Sequence, residues 1–417
     1  MMSIQTCIQN LSQLITLDPA WIRADNPLGI IANGAILIDN RGFIAWTGET
    51  SQIPPELDLT HSQTIDGQGK ILTPGLIDSH THPVFAGERA DEFEMRLEGK
   101  TYLEIAAAGG GIQKTVLATR KASFEELLNL AASRLKRMLS FGVTTVEAKS
   151  GYGLDWPSEE KSLKVIQALQ QGKALQSVVA TYMGAHDIPP EYKQNPDAYV
   201  DILCNDQLPR VAEAGLAQFC DVFCEKGYFS VAQTRRILER ARELGLGLKV
   251  HAEEFCTLGG AELAGLLQAA SADHLLHIDE TGIAAMKAGG AVATLLPGTA
   301  FFLRLNHYAP AREILNAGVP VALATDFNPG SCMTENLQMV MHLACLQMGM
   351  TPVEVLQGVT CHAARALKLD GDRGRLLPGY RADLCLWNVP QYQSLFYHWG
   401  VNHLQRVWIA GESVLSL

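Results

Sequence analysis

A (β/α)8 barrel of TIM type, with a small β-sandwich domain formed by the N- and C-terminal segments, is the fold this sequence predicts. Three observations predict it. The middle of the chain carries eight strand-like apolar runs, with amphipathic helical segments between most of them. Those runs give way to polar residues near Asp78, Glu147, Ala185, Phe223, Val250, His274, Leu296 and Thr325, and barrels place their chemistry at the carboxyl ends of their strands. The two ends of the chain share another texture, of short strands and tight turns.

Residues 1–70 read as the N-terminal part of the β domain. GAILID, the turn Asn40-Arg41-Gly42 and FIAWTG form a hairpin pattern. Residues 71–372 read as the barrel. Its first strand runs into Gly75-Leu76-Ile77-Asp78-Ser79-His80-Thr81-His82-Pro83. A helix starts at Ser123, where Glu126 stands three residues on as in a capping box. Leu127, Leu128, Ala131, Leu135, Met138 and Leu139 give that helix one apolar stripe, Gly142 stops it, and VTTVE follows as a strand. Residues 373–417, with RADLCLW and HLQRVWIAGESV, return to β texture and can pair with the N-terminal strands.

The 417 residues suffice for a large and a smaller domain, and 47% hydrophobic with 18% charged residues is a globular composition. A net charge of −11 argues against nucleic acid and anionic membrane surfaces as partners. An anionic small molecule must then be held by individually placed cations. No apolar run reaches membrane-spanning length. The start, MMSIQTCIQNLSQLITLD, lacks the basic head and long apolar core of a secretion signal. Nine dispersed cysteines, of which only Cys220 and Cys224 lie close, fit reduced and mostly buried thiols in a cytoplasm.

Alternate residues of an extended chain point the same way, so His80 and His82 can face one point in the barrel mouth. A lone pair of this kind is weak evidence. Three further strand ends strengthen it: His251 after the fifth, His274 after the sixth and Asp326 after the eighth. Imidazoles with one carboxylate suit zinc, iron or manganese. His80, His82, His251 and Asp326 are assigned to one metal, with water at the open position. A metal so held lowers the pKa of water from about 15.7 toward about 7. Asp326 can take the proton of that water, Glu254 can carry one to a departing nitrogen, and His274 can steer the attack or stabilise an oxyanion. Of the two adjacent glutamates, Glu253 is expected on the surface, because Glu254 lies one helical turn beyond His251. Lys226, after Glu225 at the end of the fourth strand, stands near the place where some barrels hold a second metal through a modified lysine; one metal is the expectation.

These residues resemble the amidohydrolase superfamily. The resemblance narrows over HTHPVFAGERADEFEMRLEGKTYLEIAAAGGGI, EAKSGYGL, YMGAHDIPPEY, KVHAEEF, SADHLLHIDETG and TDFNPGS, which span nearly the whole chain. They look like the branch that hydrolyses the ring amide C–N bond of 4-imidazolone-5-propionate to N-formimidoyl-L-glutamate, the third step of histidine degradation. The resemblance implies one zinc or iron per subunit, a homodimer, and a substrate pocket of Arg89, Tyr102, Tyr152, His186, Glu254, Asn328, Gly330 and Ser331. Arg89 can grip a carboxylate with a forked pair of hydrogen bonds, and the Asn328-Pro329-Gly330-Ser331 loop can offer backbone N–H groups. A surface ion pair with Glu88, Asp91 or Glu92 is the plainer reading of Arg89. Gly109-Gly110-Gly111 lacks the context of a phosphate cradle and reads as a mobile loop over the pocket. Two other functions remain open: a heterocycle deaminase of the same superfamily, which would release ammonia, and a non-catalytic scaffold, which would be expected to lack metal ligands.

Overall fold

The computed structural model describes residues 3–100, 104 and 110–417. Tyr102 and Gly109 of the sequence reading lie outside them.

Eight parallel strands form the barrel: β6 (Leu76–Asp78), β7 (Val143–Lys149), β8 (Ser177–Ala185), β9 (Phe219–Cys224), β10 (Gly247–Ala252), β11 (Ser271–His274), β12 (Val292–Leu295) and β13 (Val321–Leu323). Each pairs with its neighbour in chain order. The seam between first and last strands closes just beyond their ends. His82 N–H donates to Phe327 O at 2.9 Å and Asp326 N–H to His80 O at 3.0 Å. Beneath that seam the buried Asp78 carboxylate accepts the Thr325 N–H at 3.0 Å and hydroxyl at 2.7 Å. The two chain segments that carry the candidate ligands are therefore stitched together directly.

The other sheet joins both ends of the chain. Its path is β16 (Glu412–Ser416), β15 (Leu404–Ile409), β14 (Leu384–Trp387), β5 (Ile71–Pro74), β1 (Ile4–Ile15), β2 (Ile30–Asp39) and β3 (Ile44–Glu49), with β4 (Gln63–Asp66) on β1. Ile44 of β3 and Trp408 of β15, near opposite ends of that path, share one buried cluster with Ile8, Leu14, Leu72 and Leu386. The sheet thus folds over its own core, as a sandwich does. In the β2–β3 hairpin, Asp39 accepts the N–H groups of Arg41 and Phe43, both at 2.9 Å.

The helix predicted from Ser123 runs Phe124–Leu139, and its six stripe residues are all buried. Ser123 caps it by accepting the Glu126 N–H at 3.1 Å; the return bond that would complete a capping box is not made. The helix also serves the site. Buried Arg134 donates to Pro83 O at 2.8 Å and Phe85 O at 2.7 Å, with its guanidinium 3.5 Å from the centre of the Phe85 ring. It thereby pins the loop that follows His82. No helix among the described residues is long and apolar enough to cross a membrane.

Candidate metal centre and catalytic cavity

His80, His82 and Asp326 meet at the barrel mouth. His80 Nε2 and His82 Nε2 are 3.4 Å apart, and Asp326 Oδ1 lies 3.4 and 3.5 Å from them. The His251 ring centre is 4.4 Å from that of His80, and its Nε2 is buried without a hydrogen-bond partner. All four residues are buried. Buried polar atoms are normally paired, so the orphaned His251 nitrogen beside His80, whose Nε2 also adjoins His82 and Asp326, fits a transition metal, although the four do not all lie within sharing distance of one another. His80, His251 and His274 also lie close enough to share an ion.

The imidazoles are aimed from behind. His80 Nδ1 faces Asp273 Oδ2 at 2.6 Å, and His251 Nδ1 faces Asp221 Oδ1 at 3.0 Å. Each carboxylate accepts the Nδ1 proton and leaves Nε2 free as a ligand. The charges of those carboxylates are answered inside the barrel. Lys149 Nζ lies 2.7 Å from Asp221 and 2.9 Å from Glu147, and Lys249 Nζ lies 3.1 Å from Glu147 and 3.5 Å from Asp273. Burial alone would discharge Lys149, but the surrounding carboxylates outweigh it and hold its pKa above the usual lysine range. Asp326 is tied by its other oxygen to the Thr299 hydroxyl at 2.6 Å. Sequence reasoning missed Asp221, Asp273 and Thr299. The available signal was a charge set inside an apolar strand, as in FCDVFC, GLKVHA and VTTVEAK.

A cavity of about 550 Å³ opens above this centre. Its wall includes His82, His251, His274, Asp326 and every described residue of the expected substrate pocket: Arg89, Tyr152, His186, Glu254, Asn328, Gly330 and Ser331. Glu254 is buried, with Oε2 at 3.6 Å from His274 Nε2. Burial, reinforced by the nearby charges of Asp326 and Glu225, pushes its pKa well above the ordinary glutamate range. Burial pushes His274 down to about 4 and His186 down to about 3, so both are neutral rings near pH 7. His186 stacks on His82 at 5.2 Å between centres and is oriented by Gly151 O at 3.0 Å from Nδ1. Tyr152 rides on a loop held by buried Glu159, whose carboxylate accepts the N–H groups of Gly151, Gly153 and Leu154 at 2.7–3.2 Å.

The structure departs from several expectations. Glu253 is not on the surface. It is 1% exposed, and its carboxylate accepts the N–H groups of Gly259, Gly260 and Ala261 at 2.7–2.9 Å. Nor are His251 and Glu254 related by a helical turn: the strand runs to Ala252, and Glu253 bends the chain at φ +51°. Lys226 is exposed, while Glu225 is buried and accepts the Phe255 N–H at 2.9 Å. The fork of Arg89 is already engaged, with Nε and Nη2 at 2.9 and 2.8 Å from Glu92 Oε2. The ion pair foreseen as the plainer reading exists, but in the cavity wall, with the Arg89 side chain 12% exposed. The N–H groups of Gly330 and Ser331 both donate to Asn328 Oδ1 at 2.8 Å. They shape the loop instead of offering themselves to a ligand.

A barrel with this cluster at its mouth defines a metal-dependent hydrolase, and the chain belongs to the amidohydrolase family, whose family model matches residues 71–414. Among its relatives are imidazolonepropionases, matched over most or all of their length. That of Alkaliphilus metalliredigens is 46% identical, covering 100% of this chain and 99% of the relative. That of Shouchella clausii is 48% identical over 93% of this chain and 87% of the relative. Similar solved structures include a 5-methylcytosine deaminase from Klebsiella pneumoniae, at TM-score 0.74 and 18% identity over 99% of this chain and 98% of the other. A zinc-bound adenosine deaminase from Xanthomonas campestris has TM-score 0.72 at 16% identity, covering 100% and 94%. At such identities these two speak for the fold alone.

Proposed function

We propose that this chain hydrolyses the ring amide C–N bond of 4-imidazolone-5-propionate, giving N-formimidoyl-L-glutamate, the third step of histidine degradation. The observation that carries the reading is a metal-type cluster under a cavity that holds both a buried glutamate and arginines, in a chain similar to imidazolonepropionases from end to end. A bound transition metal, which we take to be zinc or iron, supplies an acidified water at neutral pH. His80, His82, His251 and Asp326 would hold it. The residues of the chain do the rest. Arg89, with Nε and Nη2 held by Glu92, draws the propionate to the wall through Nη1, and Tyr152 and His186 meet the ring. Water adds to the ring carbonyl carbon, and Asp326 takes its proton. Neutral His274 donates to the oxygen on which charge gathers. Glu254, in its acid form, gives its proton to the ring nitrogen as the C–N bond breaks, and recovers one from Asp326.

We place the domain bounds at residues 70 and 372, with Ile71–Pro74 lending a strand to the small sheet, and take the working form to be a cytoplasmic homodimer. The direct test incubates metal-loaded protein with 4-imidazolone-5-propionate. Loss of the imidazolone with one N-formimidoyl-L-glutamate per turnover, and no ammonia, is expected. Stoichiometric ammonia would move the reading to a deaminase.

A further inference from the structure

The cavity wall carries a second arginine with no part in the roles above. Arg89, Glu92 and Arg96 follow one another at spacings of three and four residues, on one face of the helix Ala90–Leu97 and its N-cap. Glu92 is spent on Arg89 and on the Gly111 N–H at 3.1 Å. Arg96 lines the same cavity. Its Nη1 donates to Gly330 O at 2.8 Å, its guanidinium lies 5.3 Å from the centre of the Phe302 ring, and its Nε is buried with no hydrogen-bond partner among the described residues. Gly330 lies between the two arginines: a Cβ there would sit 2.5 Å from Arg89 Nη1. Two guanidiniums with one carboxylate between them stand on this wall, with Lys100 and Arg304 also in the lining, in a protein of net charge −11. An anion in the cavity would meet the guanidinium donors that Arg96 does not spend on Gly330 O.

We propose that Arg96 is a second carboxylate-binding residue of the cavity, acting beside Arg89 and setting its preference for an anionic arm. The identity of the ligand rests on the ring-opening reading; its charge does not. The test is calorimetry on metal-loaded protein with imidazole-4-propionate and with the corresponding carboxamide. R96Q should weaken binding of the carboxylate roughly tenfold or more, the weight of one charge-assisted hydrogen bond, and that of the carboxamide by less than about twofold. R96K, which keeps the charge without the planar fork, should fall between and guards against a variant that fails to fold. KM for the imidazolone substrate should rise in the same order. Equal losses for both ligands would make Arg96 a prop for the Gly330 loop and overturn the proposal, as would no loss for the carboxylate. Arginine-dependent preference for the carboxylate in a protein that does not open the imidazolone would leave Arg96 assigned and the ring-opening reading refuted.

Discussion

The surroundings of Glu254 favour its acid form. Burial disfavours its anion, and Asp326 and Glu225 add like charge. A carboxylic acid in that state at neutral pH can donate to a leaving nitrogen. Glu254→Gln should therefore keep metal and substrate binding and lose turnover by about a hundredfold or more, read by steady-state kinetics beside metal analysis. Near-normal turnover would strip Glu254 of this role. Its neighbour marks a limit of sequence reasoning. Nothing in the run HAEEF announces that Glu253 takes a left-handed backbone and seals three amides at the start of the helix Gly260–Leu266. Those partners come from residues further along the chain, so a spacing rule applied to two adjacent glutamates had no purchase. His274 and Asp326 share this trait, at φ +79° and +51°. Strained backbone collects at these strand ends, as it does where function constrains geometry.

At the scale of elements, the barrel was legible because a parallel strand covered on both faces reads as an unbroken apolar run. The expected ends of all eight strands fall within two residues of those observed. What the strands hold inside was not legible. Glu147, Lys149 and Lys249 each read as an isolated charge, and only the register of β7, β9, β10 and β11 makes them a neutralising layer beneath the histidines. Outside the barrel, the helix Pro352–Gly358 opens with a complete capping box between Thr351 and Glu354, and Arg312 meets the same carboxylate at 2.7 Å. The Arg312 hydrogen bonds, with those from Thr351, hold the Glu354 carboxyl down to about 2. Its folded pKa lies below the ordinary value of 4.5, so its stabilising contribution is complete above about pH 4.5 and is lost as pH falls toward 2. Unfolding free energies from urea titrations of the wild type and Glu354→Gln should differ at neutral pH by under about 1 kcal/mol, as befits a partly exposed pair. The gap should close through that acid window, and a gap independent of pH would exclude this linkage.

For the molecule as a whole, the metal links stability to activity. A ligand that binds only the folded state stabilises it by mass action, by about 2.7 kcal/mol at a hundredfold excess over its Kd. Stripping the protein with a chelator should abolish turnover and lower the melting temperature, and returning zinc or iron should restore both. A melting temperature unmoved by chelation would argue against a resident ion at His80, His82, His251 and Asp326. The small domain raises a question of timing. β5 has one neighbour in β1, but its other neighbour is β14, with Ile71 opposite Trp387. On the ribosome the edge of Ile71–Pro74 therefore stays bare while every barrel strand is synthesised, and it is covered only when Leu384–Trp387 emerges. Buried, apolar Ile71 and Leu72 make that edge the natural place for two nascent chains to stick together. A strand made after the barrel thus shields an edge laid down before it.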